Sequence, residues 1–177
     1  MKILVIGAGV AGLFFASFME DSKLVVLDKN DFSGRKLLAT GNGRCNFTNL
    51  NYSLDNFTSS NPDFVKYVID YFTNKDLIDY FHDLGIATTH LPSGRTYPKT
   101  MSSKTVRDSL YLSAKENADF IFNQEVTGID FKDKRVRTNK KSYSYDKLVI
   151  ASGGITLRNS GSDGKIFDLI KKEIPIT

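Results

Sequence analysis

The sequence predicts an α/β fold, with a parallel sheet covered on both faces and joined to a three-stranded antiparallel meander. Three observations predict it. Lys2–Ile6, Leu24–Leu27 and Lys147–Ala151 are short, nearly continuous apolar runs, as strands buried on both faces require. A glycine-rich turn and a compact apolar helix separate the first two. From Phe120 to Tyr145 the pattern alternates with turn signals, as in an antiparallel meander.

The elements follow in order. Lys2–Ile6 is the first strand, Gly7–Gly12 the turn, Leu13–Glu20 a helix and Leu24–Leu27 the second strand, ending at Asp28. Residues 29–61 lack periodicity and hold Gly34, Gly41, Gly43 and many asparagines, which predicts a long functional loop. Pro62–Phe72 and Lys75–Leu84 read as amphipathic helices, with Asn74 as N-cap and Gly85 as stop for the second. Ile86–Pro98 holds one or two short strands around Ser93-Gly94, and Ser102–Asn117 a third helix, capped by Ser102 or Ser103. Glu125–Phe131, Arg135–Thr138 and Ser142–Tyr145 form the meander, and Lys165–Glu173 the last helix.

Composition narrows the class. With 177 residues, 41% hydrophobic and 25% charged, the chain is an ordinary globular domain, neither collagen-like nor disordered. A single cysteine, Cys45, excludes an internal disulfide and a Cys-x-x-Cys pair. A net charge of +4 is mild for this length. The uncharged stretch Ile3–Met19 is shorter than the roughly 20 residues that span a bilayer, and no small-residue cleavage site follows it. The expected location is cytoplasmic, with no membrane association.

The strongest short motif is Gly7-Ala8-Gly9-Val10-Ala11-Gly12. It follows a strand, opens a helix and precedes, by about 20 residues, a strand ending in an acid. Gly7 permits the tight turn, Gly9 lets backbone approach a pyrophosphate, and Gly12 lets helix pack on sheet. The helix N-terminus offers N–H groups and partial positive charge to phosphates. Asp28 can accept from ribose hydroxyls, and an acid there disfavours a 2′-phosphate, so the expected ligand is FAD or NAD rather than NADP. Together these features make the parallel-sheet unit Rossmann-like. The alternative is a βαβ unit whose glycines serve packing alone.

Gly34-Arg35-Lys36 and Gly41-Asn42-Gly43-Arg44-Cys45-Asn46-Phe47-Thr48-Asn49 carry a more specific signal. Arg35, Lys36 and Arg44 can neutralise phosphate, Gly41 and Gly43 admit a ligand to the backbone, and Asn46 and Asn49 can hold the loop by side-chain to backbone bonds. This run resembles the BaiN/YhiN-like NAD(P)/FAD-dependent oxidoreductases, some of which are described as aminoacetone oxidases. Gly94-Arg95-Thr96-Tyr97-Pro98, Ala151-Ser152-Gly153-Gly154 and Ser160-Gly161-Ser162-Asp163-Gly164 resemble further segments of that family.

The resemblance implies a glutathione-reductase-type FAD/NAD(P)-binding fold, with FAD extended across the carboxyl edge of the sheet. It implies that Ala11, Asp28, Arg35, Lys36, Thr40 and Gly41 touch FAD, and that Val126 meets the adenine through its backbone. Gly7, Gly9, Gly12, Lys29, Gly43, Arg44, Asn46, Ala151, Gly153 and Gly154 complete the expected cofactor-binding set. Asp28 stands where the family more often has Glu. Family members run well over twice as long, with an inserted substrate domain and a C-terminal segment around the flavin. Residues 1–177 are thus expected to be one FAD-binding domain, the truncated N-terminal portion of such an enzyme. The abrupt ending Ile174-Pro175-Ile176-Thr177 fits that expectation.

Other residues favour plain structural roles. Cys45 reads as a packing residue rather than a redox centre, which disfavours a flavin disulfide reductase. His82 and His90 have no zinc-motif spacing, and no metal site is expected. The basic run Lys132–Lys141 reads as the exposed side of the meander rather than a nucleic-acid patch. Phe64, Tyr67, Tyr71, Phe72, Tyr80 and Phe81 recur at helical spacing and read as core or domain packing, or as a face for a substrate domain.

Three functions compete. The first is the FAD-binding part of an oxidoreductase passing hydride from NAD(P)H through FAD to an unknown small molecule. The second is a non-catalytic dinucleotide-binding fragment, or half of a split enzyme that awaits a C-terminal partner segment or self-associates. The third, a nicotinamide-only Rossmann protein, requires neither the 34–49 loop nor the meander. No catalytic residue can be named from the sequence.

Overall fold

The computed structural model describes residues 1–20 and 23–175; the last two residues of the Ile174–Thr177 run lie outside them. The chain divides into two compact units, Met1–Leu37 with Leu110–Thr177, and Leu38–Ser109.

The first unit is built on a four-stranded parallel sheet in the order β10-β1-β2-β6. Its strands are β1 (Lys2–Ile6), β2 (Lys23–Leu27), β6 (Ala118–Ile121) and β10 (Lys147–Ile150). β1 lies inside the sheet, with Ile6 paired to Leu27 on one side and to Ile150 on the other. Both faces of β1 are buried, because Ile3, Leu4, Val5 and Ile6 are all inaccessible. On one face Leu4, Ile6 and Leu27 join Val136, Tyr145 and Ile166, which belong to the meander and the last helix. The meander is β7 (Val126–Asp130), β8 (Arg135–Thr138) and β9 (Ser142–Ser144), close to the expected bounds. Val136 alone of the basic run turns inward; Lys132, Lys134, Arg135, Arg137, Lys140 and Lys141 are exposed.

Helix α1 (Val10–Ser17) buries Gly12, Leu13 and Ala16. It begins three residues before the expected Leu13 and stops three before Glu20, because Gly9 already serves as its N-cap and Phe18 closes it. At its far end the amide of Asn117 donates to the Ala16 and Ser17 carbonyls at 3.2 and 3.3 Å. Strand β6 was not expected. It pairs in parallel with β2, Phe120 opposite Val26, and its Phe120 packs edge-on against Tyr111, with ring centroids 5.0 Å apart. Helix α6 (Lys165–Ile170) is shorter than the expected Lys165–Glu173.

The second unit carries a three-stranded antiparallel sheet, β3-β5-β4, of β3 (Thr48–Asn49), β4 (Thr88–His90) and β5 (Arg95–Pro98). The supposedly structureless stretch 29–61 contains β3, the short helix α2 (Arg35–Ala39) and 3-10 turns at Thr40–Gly43 and Leu54–Asn56. These elements are too short to show periodicity. Helix α3 (Pro62–Tyr71) agrees with expectation, its N-cap Asn61 accepting from Phe64 N–H at 3.1 Å. Helix α4 (Asn74–Asp83) is capped by Thr73, not Asn74: Thr73 and Asp76 form a reciprocal capping box. Gly85, at φ +78°, ends it in a Schellman motif, with Ile86 N–H donating to Phe81 and Gly85 N–H to His82. Phe81 is buried against Phe47, but Phe64, Tyr67 and Tyr71 of α3 are exposed, which corrects their expected role as core. Helix α5 (Ser103–Asn117) leads back to the first unit.

Leu27 is fully buried between the sheet and the meander. Leu27→Ala is expected to destabilise the fold by about 2–5 kcal/mol. A urea titration checks this through the transition midpoint.

Candidate functional site

At the carboxyl edge of the parallel sheet the fingerprint turn is locked by contacts no larger side chain would allow. Gly7 has φ +107°, and a β-carbon on it would lie 2.5 Å from the Ala151 carbonyl oxygen. A β-carbon on Gly12 would lie 1.9 Å from the Gly7 carbonyl oxygen. Gly9 is different. Its backbone is extended, and the nearest atom to a β-carbon there would be 4.0 Å away. Gly9 therefore leaves space, where Gly7 and Gly12 fill it. Lacking a side chain, it cannot cap the first-turn N–H groups of α1, and no acid occupies that turn. Ala11 sits there exposed. The open position, the small residue and the helix N-terminus together suit a pyrophosphate.

Asp28 follows β2 and reaches back to this turn. Its Oδ2 accepts from Ala8 N–H at 2.7 Å, and its Oδ1 accepts from Asn30 N–H and Asn30 Nδ2 at 2.8 and 2.9 Å. The turn is also held by Gly7 N–H donating to Leu27 and Gly34 N–H to Ala8, at 2.7 and 2.8 Å. Arg35, exposed at the start of α2, donates from Nη1 to Asn30 Oδ1 at 3.0 Å and lies over the Phe32 ring at 5.2 Å. Lys36 follows it, its Nζ 3.5 Å from where a β-carbon on Gly153 would stand. Gly153 and Gly154 are exposed just beyond β10, and Ala151 continues that strand's ladder by donating to Ile6 at 2.8 Å. The first unit thus gathers Gly7, Gly9, Ala11, Gly12, Asp28, Lys29, Arg35, Lys36, Ala151, Gly153 and Gly154. Val126 lies two residues beyond Gln124, whose N–H donates to the Asp28 carbonyl at 2.8 Å. Its side chain packs on the core beside a bulge in β7.

Lys29 is engaged within the protein, its ammonium 2.9 Å from Asp163. Burial works against ionisation of Asp163, but the Lys29 ammonium and the Lys165 N–H outweigh it and hold the carboxyl below its ordinary range. Lys165 also reaches Glu125 at 2.7 Å.

Thr40, Gly41, Gly43, Arg44 and Asn46 belong to the second unit. There Arg44 lies over the Tyr97 ring at 5.7 Å and donates from Nε to the Gly41 carbonyl at 3.2 Å. The Asn46 amide donates to the Thr48 and Thr96 carbonyls at 3.0 and 3.2 Å. Asn49 Oδ1 accepts from Asn51 N–H at 2.8 Å. Gly43 is open, with nothing within 4 Å of a β-carbon. Cys45 is buried at φ +60°, and burial pushes its thiol up despite a bond with Thr40. His82, exposed on α4, meets Thr88 at 3.0 Å, and His90 meets Thr96 at 3.0 Å. Among the described residues no group of three His, Cys, Asp or Glu stands close enough to hold a metal ion. No described helix is long and apolar enough to cross a membrane.

Asn30 and Asp163 were not among the expected site residues. Asn30 had a readable signal: an Asp side chain accepts from the backbone N–H two residues on in an Asx turn, which sets position 30 against Asp28. Asp163 had none beyond its segment, because its partner Lys29 is distant in sequence.

Comparison with known proteins gives a consistent result. A family described as HI0933-like protein Rossmann domain matches residues 1–176. A ribosomal RNA dihydrouridine synthase of Escherichia coli is 32% identical over 164 residues, covering 90% of this chain and 41% of that protein. A 3-dehydro-bile acid delta(4,6)-reductase of Clostridium scindens is 27% identical over 177 residues, covering 96% and 43%. The chain spans about two-fifths of the length of these curated relatives. Among solved structures, the fold is shared with a flavocytochrome c3 fumarate reductase in its open conformation, with TM-score 0.57, 18% identity and coverage of 86% of this chain and 33% of that one. It is shared also with the L-proline dehydrogenase of P. horikoshii, with TM-score 0.53, 15% identity and coverage of 99% and 57%.

The Lys29–Asp163 pair has a pH signature. A carboxyl held low in the folded state contributes stability above its unfolded pKa, and that contribution is lost as pH falls through the folded value. Asp163→Asn is therefore expected to lower the melting temperature at pH 7, by no more than about 1 kcal/mol of stability. The gap between variant and parent should close below the ordinary carboxylate range, as melting curves across pH would record.

Proposed function

Because the chain belongs to the HI0933-like Rossmann-domain family, that of the BaiN/YhiN-type FAD-dependent oxidoreductases, we propose that it holds FAD on the Gly7–Gly12 turn. The observation that carries this reading is the contrast among the three glycines: two are filled by backbone, and Gly9 alone stands open at a helix N-terminus. The residues present fit the group. In this reading the first-turn N–H groups of α1 hold the pyrophosphate, Asp28 accepts from the ribose, and Arg35 and Lys36 neutralise phosphate. The backbone beside Val126 meets the adenine. Thr40, Gly41, Gly43, Arg44 and Asn46 are assigned to the same cofactor by family resemblance.

Bound FAD would supply hydride transfer, with NAD(P)H as the donor we propose and an organic molecule as the acceptor. The names of the curated relatives divide between ribosomal RNA and a bile acid as substrate. We favour a small-molecule acceptor and a cytoplasmic setting, and assign the exposed basic run of the meander to solvation. Since the chain matches about two-fifths of those relatives, a second reading has specific support: residues 1–177 bind the cofactor without turnover.

The test is visible absorption of the purified chain after addition of FAD and desalting. The parent protein is expected to keep the flavin band. Gly9→Val should lose it while its circular dichroism and melting temperature stay close to the parent's, because the backbone there suits any residue and the space is open. A parent chain that folds and retains no flavin would overturn the reading. NADH and NADPH oxidation by the flavin-loaded chain then separates the enzyme from the non-catalytic holder.

A further inference from the structure

The Asn30 side chain is bonded to both Asp28 and Arg35, two of the charged groups assigned to the ribose-phosphate end of the ligand. Its Nδ2 donates to Asp28 Oδ1 at 2.9 Å, and its Oδ1 accepts from Arg35 Nη1 at 3.0 Å. Its own N–H donates to the same Asp28 oxygen at 2.8 Å. Its backbone carbonyl accepts from Asn123 N–H at 2.9 Å, and its Nδ2 lies 3.4 Å from the Ser160 carbonyl. The neighbouring chain makes room for this amide. Gly161 has φ +99°, and a β-carbon on it would lie 2.7 Å from Asn30 Nδ2.

The bonding of Asp28 then has a consequence. A carboxylate offers about four acceptor directions, two on each oxygen. Both directions on Oδ1 are taken by Asn30, and one on Oδ2 by Ala8 N–H. The remaining direction is on Oδ2, the oxygen that faces the glycine turn. Asn30 also stands as a neutral spacer between an anion and a cation that attract each other. A guanidinium in direct contact with Asp28 would fork onto both oxygens and consume the ribose acceptor.

We propose that Asn30 is a positioning residue for the dinucleotide site: it fills Asp28 Oδ1, holds Arg35 off the carboxylate, and so reserves Asp28 Oδ2 for a ribose hydroxyl and the Arg35 guanidinium for phosphate. The ligand class is a ribose-bearing nucleoside diphosphate, the adenosine half of the proposed cofactor, and the inference rests on that reading. The amide meets both demands, since it donates toward Asp28 and accepts from Arg35 at once. Leucine does neither. An ionised aspartate accepts from Arg35 but cannot donate to Asp28 and repels it.

The experiment is titration of the chain with ADP and with 2′,3′-dideoxy-ADP, for the parent, Asn30→Leu and Asn30→Asp, at pH 7.5, with folding checked by circular dichroism. The parent should prefer ADP by about tenfold or more, the worth of one hydrogen bond to a charged group. Asn30→Leu should bind the two nucleotides alike. Asn30→Asp, which matches the shape of the amide but cannot donate to Asp28 when ionised, should likewise show no preference, so it carries the test should the leucine variant fail to fold. Retention of the parent preference by Asn30→Leu, or a weakening of both nucleotides with their ratio intact, would assign Asn30 a merely structural role and overturn the proposal. A parent that binds both nucleotides equally would overturn it too, while leaving dinucleotide binding in place. A parent that binds neither would defeat the cofactor reading itself.

Discussion

The hydrogen bond from Ala8 N–H to the Asp28 carboxylate is the constraint on which the rest of the site depends. Its geometry follows from strand register. β1 and β2 pair with Ile6 opposite Leu27, so the residues leaving both strands emerge side by side at one edge of the sheet. Gly7 extends the ladder by one bond to Leu27, and the following N–H meets the acid. Two adjacent parallel strands are otherwise linked by their ladder and by a crossover connection. Here a charge-assisted bond closes their ends as well, and such bonds are about twice as strong as neutral ones. The glycine turn therefore inherits the rigidity of the sheet. Ala151, continuing β10 on the other side of β1, backs the turn with its carbonyl oxygen. A rigid cradle of this kind needs little reorganisation when a ligand arrives.

Much of the first unit was legible in the sequence because its signals are local. β-branched runs marked β1, β2 and β10, the spacing of glycines marked the turn, and the alternation around Val136 marked the meander. β6 escaped because its run Ala118-Asp119-Phe120-Ile121 includes a charge and directly follows a helix without a turn residue between them. Its status as a strand is settled by pairing with β2, a partner far away in sequence. The cap of α4 was misplaced by one residue because Thr73 and Asn74 are both good cap formers. The reciprocal bond from Asp76, three residues after Thr73, decides between them. At the site, the glycines and Asp28 could be named from spacing alone. The pairing of Lys29 with Asp163 depends on how the 151–164 segment returns to the end of β2, and no local pattern encodes that return.

Charge around the turn is organised rather than merely basic. Lys29 and Lys165 are both engaged by Asp163, and Lys165 additionally by Glu125, so those cations serve to hold the segment before α6. Arg35 keeps its guanidinium exposed while Asn30 and Phe32 fix its direction. A cation that is fixed but solvated loses less entropy on meeting an anion than one on a mobile side chain. The division of labour explains how a chain with a mild net charge can still present a directed positive group at one edge.

The second unit supplies a consequence of a different kind. Cys45 is the only sulfhydryl in the chain, and it is buried with its thiol held protonated. A thiol reagent therefore reaches it only when the surrounding loop opens. The rate of alkylation under native conditions then reports the free energy of that opening, residue-specifically and without an introduced probe. The loop that the family resemblance ties to the cofactor thus contains its own clock, and its ticking can be timed with and without nucleotide present.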